Sequence, residues 1–202
     1  MSPTLYVVDD DESVRDGLAT LFEVSGFTVE VFDSGRALLA RKPEGFGCIL
    51  LDLRMPDMDG LQVQEALAQQ GNTLPVLFMS AYGDIPQTVL AIKGGAADFL
   101  IKPVDGAALM LRVEEVLEDY RGSYEHQRAG RELRIAIDRL SARERQILKL
   151  SATGKNSQAI AGELGISPRT VEAHRSHIAA KTGTQSLADL FRLASMHSLI
   201  LH

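Results

Sequence analysis

The sequence of 202 residues contains a single cysteine, Cys48, and no apolar stretch long enough to cross a membrane. One cysteine excludes a disulfide framework and fits a cytoplasmic setting. A membrane-spanning helix needs about 20 consecutive apolar residues, so none is predicted. The N-terminal segment MSPTLYVVDDDE lacks the basic region and apolar core of a secretory signal. We therefore expect a cytoplasmic protein without a membrane partner.

Positive charge is scarce in the first part of the chain. Residues 1–120 carry 8 Lys and Arg against 20 Asp and Glu, a net charge of −12, whereas residues 121–202 carry 13 and 7, a net charge of +6. All five histidines also lie after residue 120. This asymmetry indicates two domains with different partners, and a basic second domain is typical of nucleic-acid binding.

In the acidic part, short apolar runs alternate with helical patterns. The strand-like runs are Leu5–Val8, Phe27–Phe32, Cys48–Leu51, Pro75–Met79 and Ala97–Ile101. The helical segments between and after them include residues 34–41, 60–69, 85–93 and 105–120, and in the first helix Val14, Leu18, Leu21 and Phe22 recur on one face. Five such units predict an α/β fold, a doubly wound five-stranded parallel sheet.

Three aspartates, a serine and a lysine follow these predicted strands. With the strand order 2-1-3-4-5, ligands bind beyond the carboxyl ends of strands 1 and 3, where the order reverses. Asp9 and Asp10 follow strand 1 and Asp52 ends strand 3, while Ser80 and Lys102 end strands 4 and 5. We expect all five side chains to meet on one edge of the sheet, although Asp9–Asp11 alone could equally be the cap of the first helix.

This set of residues predicts a phosphoryl-transfer site. Carboxylates that share a pocket repel one another, and a hard cation such as Mg²⁺ relieves that repulsion. A lysine and a hydroxyl on the same edge supply a positive charge and a hydrogen-bond donor for a phosphoryl group. The arrangement suits transfer to a carboxylate, where catalysis is mostly positioning and charge neutralisation.

Residues 1–120 resemble the receiver domain of two-component response regulators. The matching segments are VVDDD (7–11), LLDLRMPDMDG (50–60), MSAYGD (79–84) and GAADFLIKP (95–103). The resemblance implies that Asp52 is the phospho-acceptor of a sensor histidine kinase. It implies that Asp9, Asp10, Asp52 and the Arg54 backbone carbonyl bind Mg²⁺ or Mn²⁺. It also implies that Lys102 pairs with the phosphoryl group, that Pro103 follows a cis peptide bond, and that Ser80 and Phe99 form a switch pair. The family more often has threonine at the position of Ser80.

The basic part of the chain predicts a helix-turn-helix. Residues 121–139 are polar and arginine-rich, and we interpret them as a linker that extends the fifth helix in part; from Leu140 the pattern is helical. Within residues 158–183, Gly165 suits the left-handed position after a helix, Ser167 the next N-cap and Pro168 the first helical position. Ala161 is small enough for a second helix to cross closely.

The second helix of this motif has the features of a recognition helix. Val171 and Ile178 are its expected core anchors, and its other face can enter a major groove. Lys155, Arg175 and Lys181 are expected to meet phosphates. The remaining predicted DNA contacts are Arg169, Thr170, Glu172, Ala173, His174 and Ser176. His174 and His177 lie three residues apart, but without further ligands they predict a helix surface rather than a metal site.

Residues 140–202 resemble the DNA-binding domain of the LuxR/NarL class, and the whole chain resembles the FixJ-like subgroup. The matching segments are LSARERQILKL (140–150), IAGELGISPRTVEAHRSHIAAK (160–181) and SLADLFRLA (186–194). The resemblance implies double-stranded DNA and RNA polymerase as partners and dimerisation, which in this class often uses the last helix, here about 186–196. One departure is Ser157-Gln158, where the family usually has Asn-Lys, and this removes an expected phosphate contact.

The resulting hypothesis is a transcriptional regulator in which phosphorylation of Asp52 promotes dimerisation and DNA binding. Three alternatives remain at this stage: release of an inhibited output domain, an RNA-binding output, and a protein-binding output. A phosphatase of the haloacid dehalogenase type also uses an aspartate after a strand, but it needs a second aspartate two residues later, where this chain has Arg54. We therefore expect self-catalysed, Mg²⁺-dependent transfer to Asp52 and no turnover of a free substrate.

Overall fold

The computed structural model describes residues 2–81 and 85–199, and the chain divides into two compact units, Met1–Gly122 and Ser123–His202. The strands found in the described residues are β1 (Thr4–Val8), β2 (Thr28–Phe32), β3 (Gly47–Asp52), β4 (Val76–Ser80) and β5 (Asp98–Ile101). The helices of the first unit are α1 (Glu12–Val24), α2 (Gly35–Arg41), α3 (Gly60–Gln69), α4 (Ile85–Lys93) and α5 (Gly106–Asp138), which continues into the second unit. The further helices of the second unit are α6 (Ala142–Ala152), α7 (Ser157–Leu164), α8 (Pro168–Thr182) and α9 (Leu187–Met196).

The strands form a parallel sheet in the order β2-β1-β3-β4-β5. Val8 at the end of β1 is in register with Phe32 of β2 on one side and Leu51 of β3 on the other. Both the α/β fold and the strand order predicted from the sequence are confirmed. Strand order therefore reverses between β1 and β3, and the ends of these two strands flank the expected binding edge.

Alternate residues of the sheet pack against helices on opposite faces. Leu5 and Val7 of β1 point to the face covered by α1 and α5, whereas Tyr6 and Val8 point to the face covered by α2, α3 and α4. The central strand β3 is buried along its whole length, Cys48 included. Burial raises the pKa of the Cys48 thiol and keeps it protonated, so this residue fills the core.

The α5 helix contributes to both units. Leu109 and Val113 in its first half belong to the core beneath the sheet, and Leu133 near its end is buried in the core of the second unit. The residues predicted to form a linker, 121–139, are therefore helical as far as Asp138. Leu133 and Ile137 lie four residues apart on one helical face, which is why an arginine-rich segment still supplies apolar core contacts.

The core of the second unit holds the α7–α8 pair together. Ile160 and Ala161 of α7 and Val171 and Ile178 of α8 are buried in it. In the part of the chain that the structure describes, no helix is both long enough and apolar enough to cross a membrane.

Candidate functional site: an acidic sheet edge and a recognition helix

A lysine joins two aspartates at the carboxyl edge of the sheet. Asp9 follows β1, Asp52 ends β3 and Lys102 follows β5, so three strands converge on one point. The Lys102 ammonium donates to Asp9 Oδ2 at 2.5 Å and to Asp52 Oδ1 at 2.6 Å. The structure thus brings together three side chains that lie up to 93 positions apart in the sequence.

These charged groups are largely removed from solvent. Asp9 is 1% and Asp52 6% exposed, and the Lys102 side chain is 21% exposed. The second oxygen of each carboxylate accepts a backbone hydrogen bond, Asp9 Oδ1 from Asp11 N at 3.1 Å and Asp52 Oδ2 from Arg54 N at 2.7 Å. Buried carboxylates require such partners, because each loses its hydration.

Burial and charge shift the protonation of this group. Burial raises the pKa of Asp52, and the nearby Asp9 charge adds to the rise, while Lys102 and the Arg54 amide oppose it. For Lys102, burial acts to lower the pKa, but the hydrogen bonds to Asp52 and Asp9 outweigh it and leave the pKa raised. The lysine therefore stays charged over the whole neutral range, whereas Asp52 gains its proton more readily than an ordinary aspartate.

The other two consecutive aspartates differ in their surroundings. Asp10 is exposed beside the edge. Asp11 is the N-cap of α1, and its side chain accepts from Ser13 N at 2.8 Å. The capping role considered from the sequence thus belongs to Asp11, and Asp9 has the buried position. Among residues 2–81 and 85–199, no three His, Cys, Asp or Glu side chains are grouped closely enough to hold a metal ion.

The loop after Asp52 depends on a glycine. At Gly60, the first residue of α3, an added Cβ would lie 2.6 Å from the Asp52 carbonyl oxygen and 2.8 Å from the Phe78 ring. The Gly60 amide donates to the Leu53 carbonyl at 2.9 Å, which closes the loop over the end of β3. A side chain here would push the loop away from the strand that carries Asp52.

Ser80 and Phe99 lie on neighbouring strands near this edge. Ser80 ends β4 and is 1% exposed, and Phe99 on β5 is half-buried with its ring centroid 6.2 Å from that of Phe78. The Lys102–Pro103 peptide bond is cis, as the resemblance implied. Three residues of the motif at 79–84, namely Tyr82, Gly83 and Asp84, lie outside the described residues.

In the second unit, the turn between α7 and α8 forms as the sequence predicts. Gly165 adopts a φ of +65° after α7, and Ser167 caps α8 by accepting from Thr170 N at 3.1 Å. Pro168 is the first residue of α8, where its missing amide hydrogen is not needed. Val171 and Ile178 are fully buried, which fixes the rotation of α8 about its axis.

This rotation exposes one face of α8. The exposed residues of that face are Arg169, Thr170, Glu172, Ala173 and Ser176. His174 is half-buried, and its ring is perpendicular to that of His177 with 6.5 Å between centroids. The side chains predicted to approach bases are therefore accessible at the N-terminal half of the helix.

The three predicted phosphate contacts have partners within the unit. Arg175 points inward, where Nη2 donates to the Lys155 carbonyl at 3.0 Å and to Ser151 Oγ at 3.2 Å. Lys155 pairs with Glu163, and Lys181 donates to Glu144 Oε2 at 2.8 Å. A phosphate contact by any of them would have to compete with these bonds, and Arg175 has the least exposed side chain of the three, at 25%.

Glu144 is a buried acid that the sequence reasoning did not single out. It completes a capping box with Ser141 at the start of α6 and accepts from Lys181. Burial acts to raise the pKa of Glu144, but the hydrogen bonds from Lys181 and Ser141 lower it to about 2. The spacing of a serine and a glutamate three residues apart, before an apolar run, is the signal that could have found it.

Comparison with known proteins agrees with both units. Residues 5–114 match the response regulator receiver domain, and residues 138–194 match the bacterial regulatory proteins of the luxR family. The transcriptional regulatory protein FixJ of Bradyrhizobium diazoefficiens is 36% identical over 191 residues, which are 94% of this chain and 93% of that protein.

Solved structures with both units are also similar. The response regulator StyR is 41% identical and superimposes with a TM-score of 0.75 over 96% of this chain and 99% of that chain. Full-length FixJ from B. japonicum is 34% identical, with a TM-score of 0.58 over 99% of this chain and 100% of that chain. With its receiver fold and its helix-turn-helix, the chain belongs to the two-component response regulators that control transcription, in the FixJ-like group with a LuxR-family DNA-binding domain.

Proposed function

We propose that Asp52 accepts a phosphoryl group from a phosphohistidine of a sensor histidine kinase. The observation that carries this proposal is the contact of one lysine with Asp9 and Asp52 at the point where three strands end. An Asp52 oxygen attacks the phosphorus, the new O–P bond forms while the P–N bond breaks, and the released imidazole takes a proton from solvent. Lys102 is placed to exchange its Asp52 contact for the phosphoryl oxygens, because its charge is matched to theirs.

Asp9, Asp10 and Asp52 offer carboxylate oxygens, the ligand type that Mg²⁺ or Mn²⁺ prefers, and among the described residues they must draw closer together to share one ion. Asp9 and Asp52 present carboxylate oxygens at one point, and the exposed Asp10 lies beside them. We infer that these three residues and the backbone carbonyl of Arg54 would hold the ion. A bound ion supplies positive charge that neutralises the oxygens of the transferring group.

Ser80 and Phe99 carry the signal away from Asp52 in this proposal. Ser80 moves to donate to the new phosphoryl group, and Phe99 turns into the space that it leaves. The surface formed by α4, β5 and α5 exposes six large apolar side chains, and they support this face as the dimer surface. They are Ile85, Val89, Leu90, Ile92, Ile101 and Leu111. Repacking beneath the face shifts the population towards a dimer.

Dimerisation brings two recognition helices to two DNA half-sites and raises affinity through effective concentration. We infer that α9 adds to the dimer and that the regulator acts on RNA polymerase at its promoters in the cytoplasm. We infer that the receiver is residues 1–120, that the linker 121–139 includes the end of α5 and contributes apolar side chains to the core of the second unit, and that the DNA-binding domain is 140–202. The exposed face of α8 reads bases, and Lys155, Arg175 and Lys181 lie nearest the phosphates.

Labelling with a small phosphodonor tests the acceptor. Wild type, Asp52→Ala and the exposed-residue control Asp119→Ala are incubated with acetyl phosphate, with and without Mg²⁺, and weighed by intact-protein mass spectrometry. Wild type and the control should gain one phosphoryl group only with the divalent cation, and Asp52→Ala should gain none. Undiminished labelling of Asp52→Ala would place the acceptor elsewhere.

Sedimentation separates a dimer switch from release of an inhibited domain. Phosphorylated wild type should sediment as a dimer without DNA, and Leu90→Glu, at a side chain that is 56% exposed, should be labelled equally but stay monomeric. Phosphorylated wild type that stays monomeric yet binds DNA more tightly would indicate release. Parallel binding to labelled duplex DNA and to RNA of the same sequence tests the RNA-binding output, and binding to neither would favour a protein partner.

A further inference from the structure

A serine of α7 holds the carboxylate of Glu172 on α8. Ser157 Oγ donates to Glu172 Oε1, although the two residues are 15 positions apart and lie on different helices. The Glu172 side chain is nevertheless 61% exposed. Its carboxylate is thus fixed on one oxygen by the neighbouring helix while the side chain as a whole stays accessible from solvent.

A second group competes for the same carboxylate. Nη1 of Arg175, three residues later on α8, lies 3.6 Å from Glu172 Oε1, which is beyond a normal hydrogen bond. The Arg175 Nε is buried and has no hydrogen-bond partner among the described residues. Loss of the Ser157 hydroxyl would therefore leave the arginine, or bulk solvent, as the alternative partner for Glu172.

The chemistry of a carboxylate limits what it can recognise in a major groove. It is only an acceptor, so guanine N7 and O6 repel it. Adenine offers an amino donor next to the N7 acceptor, whereas cytosine offers its N4 amino group beside a carbon. Cytosine is therefore the base edge that suits Glu172 best.

We propose that Ser157 is a positioning residue for DNA readout, which holds Glu172 so that its carboxylate accepts from the N4 amino group of a cytosine. The proposal rests on the DNA-binding function proposed above and names the base and the residue that set its specificity. It also gives a role to Ser157, which stands where the family usually has asparagine. Ser157 acts through Glu172, so it should alter the choice of base rather than the general attraction to DNA.

Selection from a randomised duplex library tests this role with the full-length phosphorylated protein. The compared proteins are wild type, Glu172→Ala, Ser157→Ala, Ser157→Thr, the double variant of Ser157→Ala with Glu172→Ala, and Ser123→Ala on α5 as an exposed helical serine control. The affinity of each protein for a fixed non-specific duplex is measured in parallel. A general loss of binding would lower this affinity as well as the enrichment of selected sequences.

Wild type should enrich a cytosine at one position of the site. In Glu172→Ala, the preference for that cytosine over the other bases should fall about tenfold. Ser157→Ala should weaken the same preference by about threefold with unchanged non-specific affinity, and Ser157→Thr should restore it because the hydroxyl is kept. In the Glu172→Ala background, Ser157→Ala should have no further effect.

Two results would overturn the inference: an unchanged cytosine preference in Ser157→Ala, or a further loss on removing Ser157 when Glu172 is already alanine. The second result would mean that Ser157 contacts DNA itself. A wild-type protein that enriches no sequence at all would instead overturn the proposed DNA-binding function, and the inference with it.

Discussion

The charged groups of the sheet edge and the Lys155–Glu163 pair of the second unit are held in opposite ways. At the sheet edge, Asp9 and Asp52 are nearly inaccessible, and Lys102 contacts both of them. On the DNA-binding unit, Lys155 and Glu163 form an ion pair with side chains 39% and 46% exposed. A buried charge without a partner is strongly destabilising, whereas an exposed pair contributes about 0–1 kcal/mol.

The difference corresponds to the task of each region. In the proposed function, a phospho-acceptor must meet the phosphohistidine of its kinase with the same geometry at every turnover, and neighbours fixed by strand ends suit that task. A DNA-binding surface must release its own ion pairs before its cations can meet phosphates, so weak and exposed pairs are suitable there. The contrast predicts where substitution affects stability and where it affects binding alone.

Removal of the central lysine should have the largest effect. Lys102→Ala leaves Asp9 and Asp52 buried without their shared cation, so we expect a loss of about 3 kcal/mol in the free energy of unfolding at pH 7 without divalent ions. Urea unfolding measures this loss, and Mg²⁺ should restore part of it. A side chain that is 21% exposed between two acids is a structural partner as well as the expected phosphoryl contact.

The stability that Lys102→Ala loses should also depend on pH. The pKa of Asp52 is already raised from 3.8 by burial, and removal of Lys102 should raise it further. An acid with a raised folded pKa destabilises the protein as the pH rises above its unfolded value, so the variant should approach wild type near pH 3.8 and diverge from it towards pH 7. The exposed Lys93→Ala is the control. A pH-independent difference would show that Lys102 acts through packing.

Much of this edge could be predicted because strand order alone brings its residues together. Asp52 ends an apolar run, and Asp9 and Lys102 follow two others, so a parallel sheet leaves them little freedom. The sequence could not reveal that Asp9 is buried while Asp10 is exposed, because that depends on where α1 begins. Asp11 caps α1, and the cap orients the residues before it.

The buried acid of the second unit should show the next largest effect, with the opposite dependence on pH. Glu144→Gln keeps an acceptor but removes the charge that Lys181 and the Ser141 amide stabilise, so we expect a loss of about 2 kcal/mol at pH 7. Because the pKa of Glu144 falls from 4.5 to about 2, its contribution is present above pH 4.5 and disappears as the pH falls towards 2.

Chemical denaturation between pH 2 and pH 7 checks this window. Wild type and Glu144→Gln should converge in stability near pH 2, and exposed Glu114→Gln should follow wild type throughout. Equal differences at pH 2 and pH 7 would contradict the charged hydrogen bond as the cause.

The DNA-binding unit was predictable in its backbone but not in its side-chain pairs. Gly165, Ser167 and Pro168 mark the turn because each occupies a position with a strong backbone preference. The inward direction of Arg175 and the contact of Ser157 with Glu172 depend on rotamers where two helices cross. Sequence spacing within one helix carries no information about such contacts.

The exposed ion pair should give the smallest change in stability and a measurable change in binding. Glu163→Gln releases Lys155 from its partner and removes a negative charge near the proposed DNA surface. We expect the free energy of unfolding to change by less than about 0.5 kcal/mol. Affinity for non-specific duplex should rise by about threefold at low salt, with a steeper salt dependence because Lys155 then displaces one more counterion.

Fluorescence anisotropy over a salt series measures the affinity and its salt dependence. Glu23→Gln on α1 of the receiver provides the same change in net charge far along the chain. If both variants bind equally more tightly, the effect comes from overall charge, and Lys155 does not lie at the DNA surface.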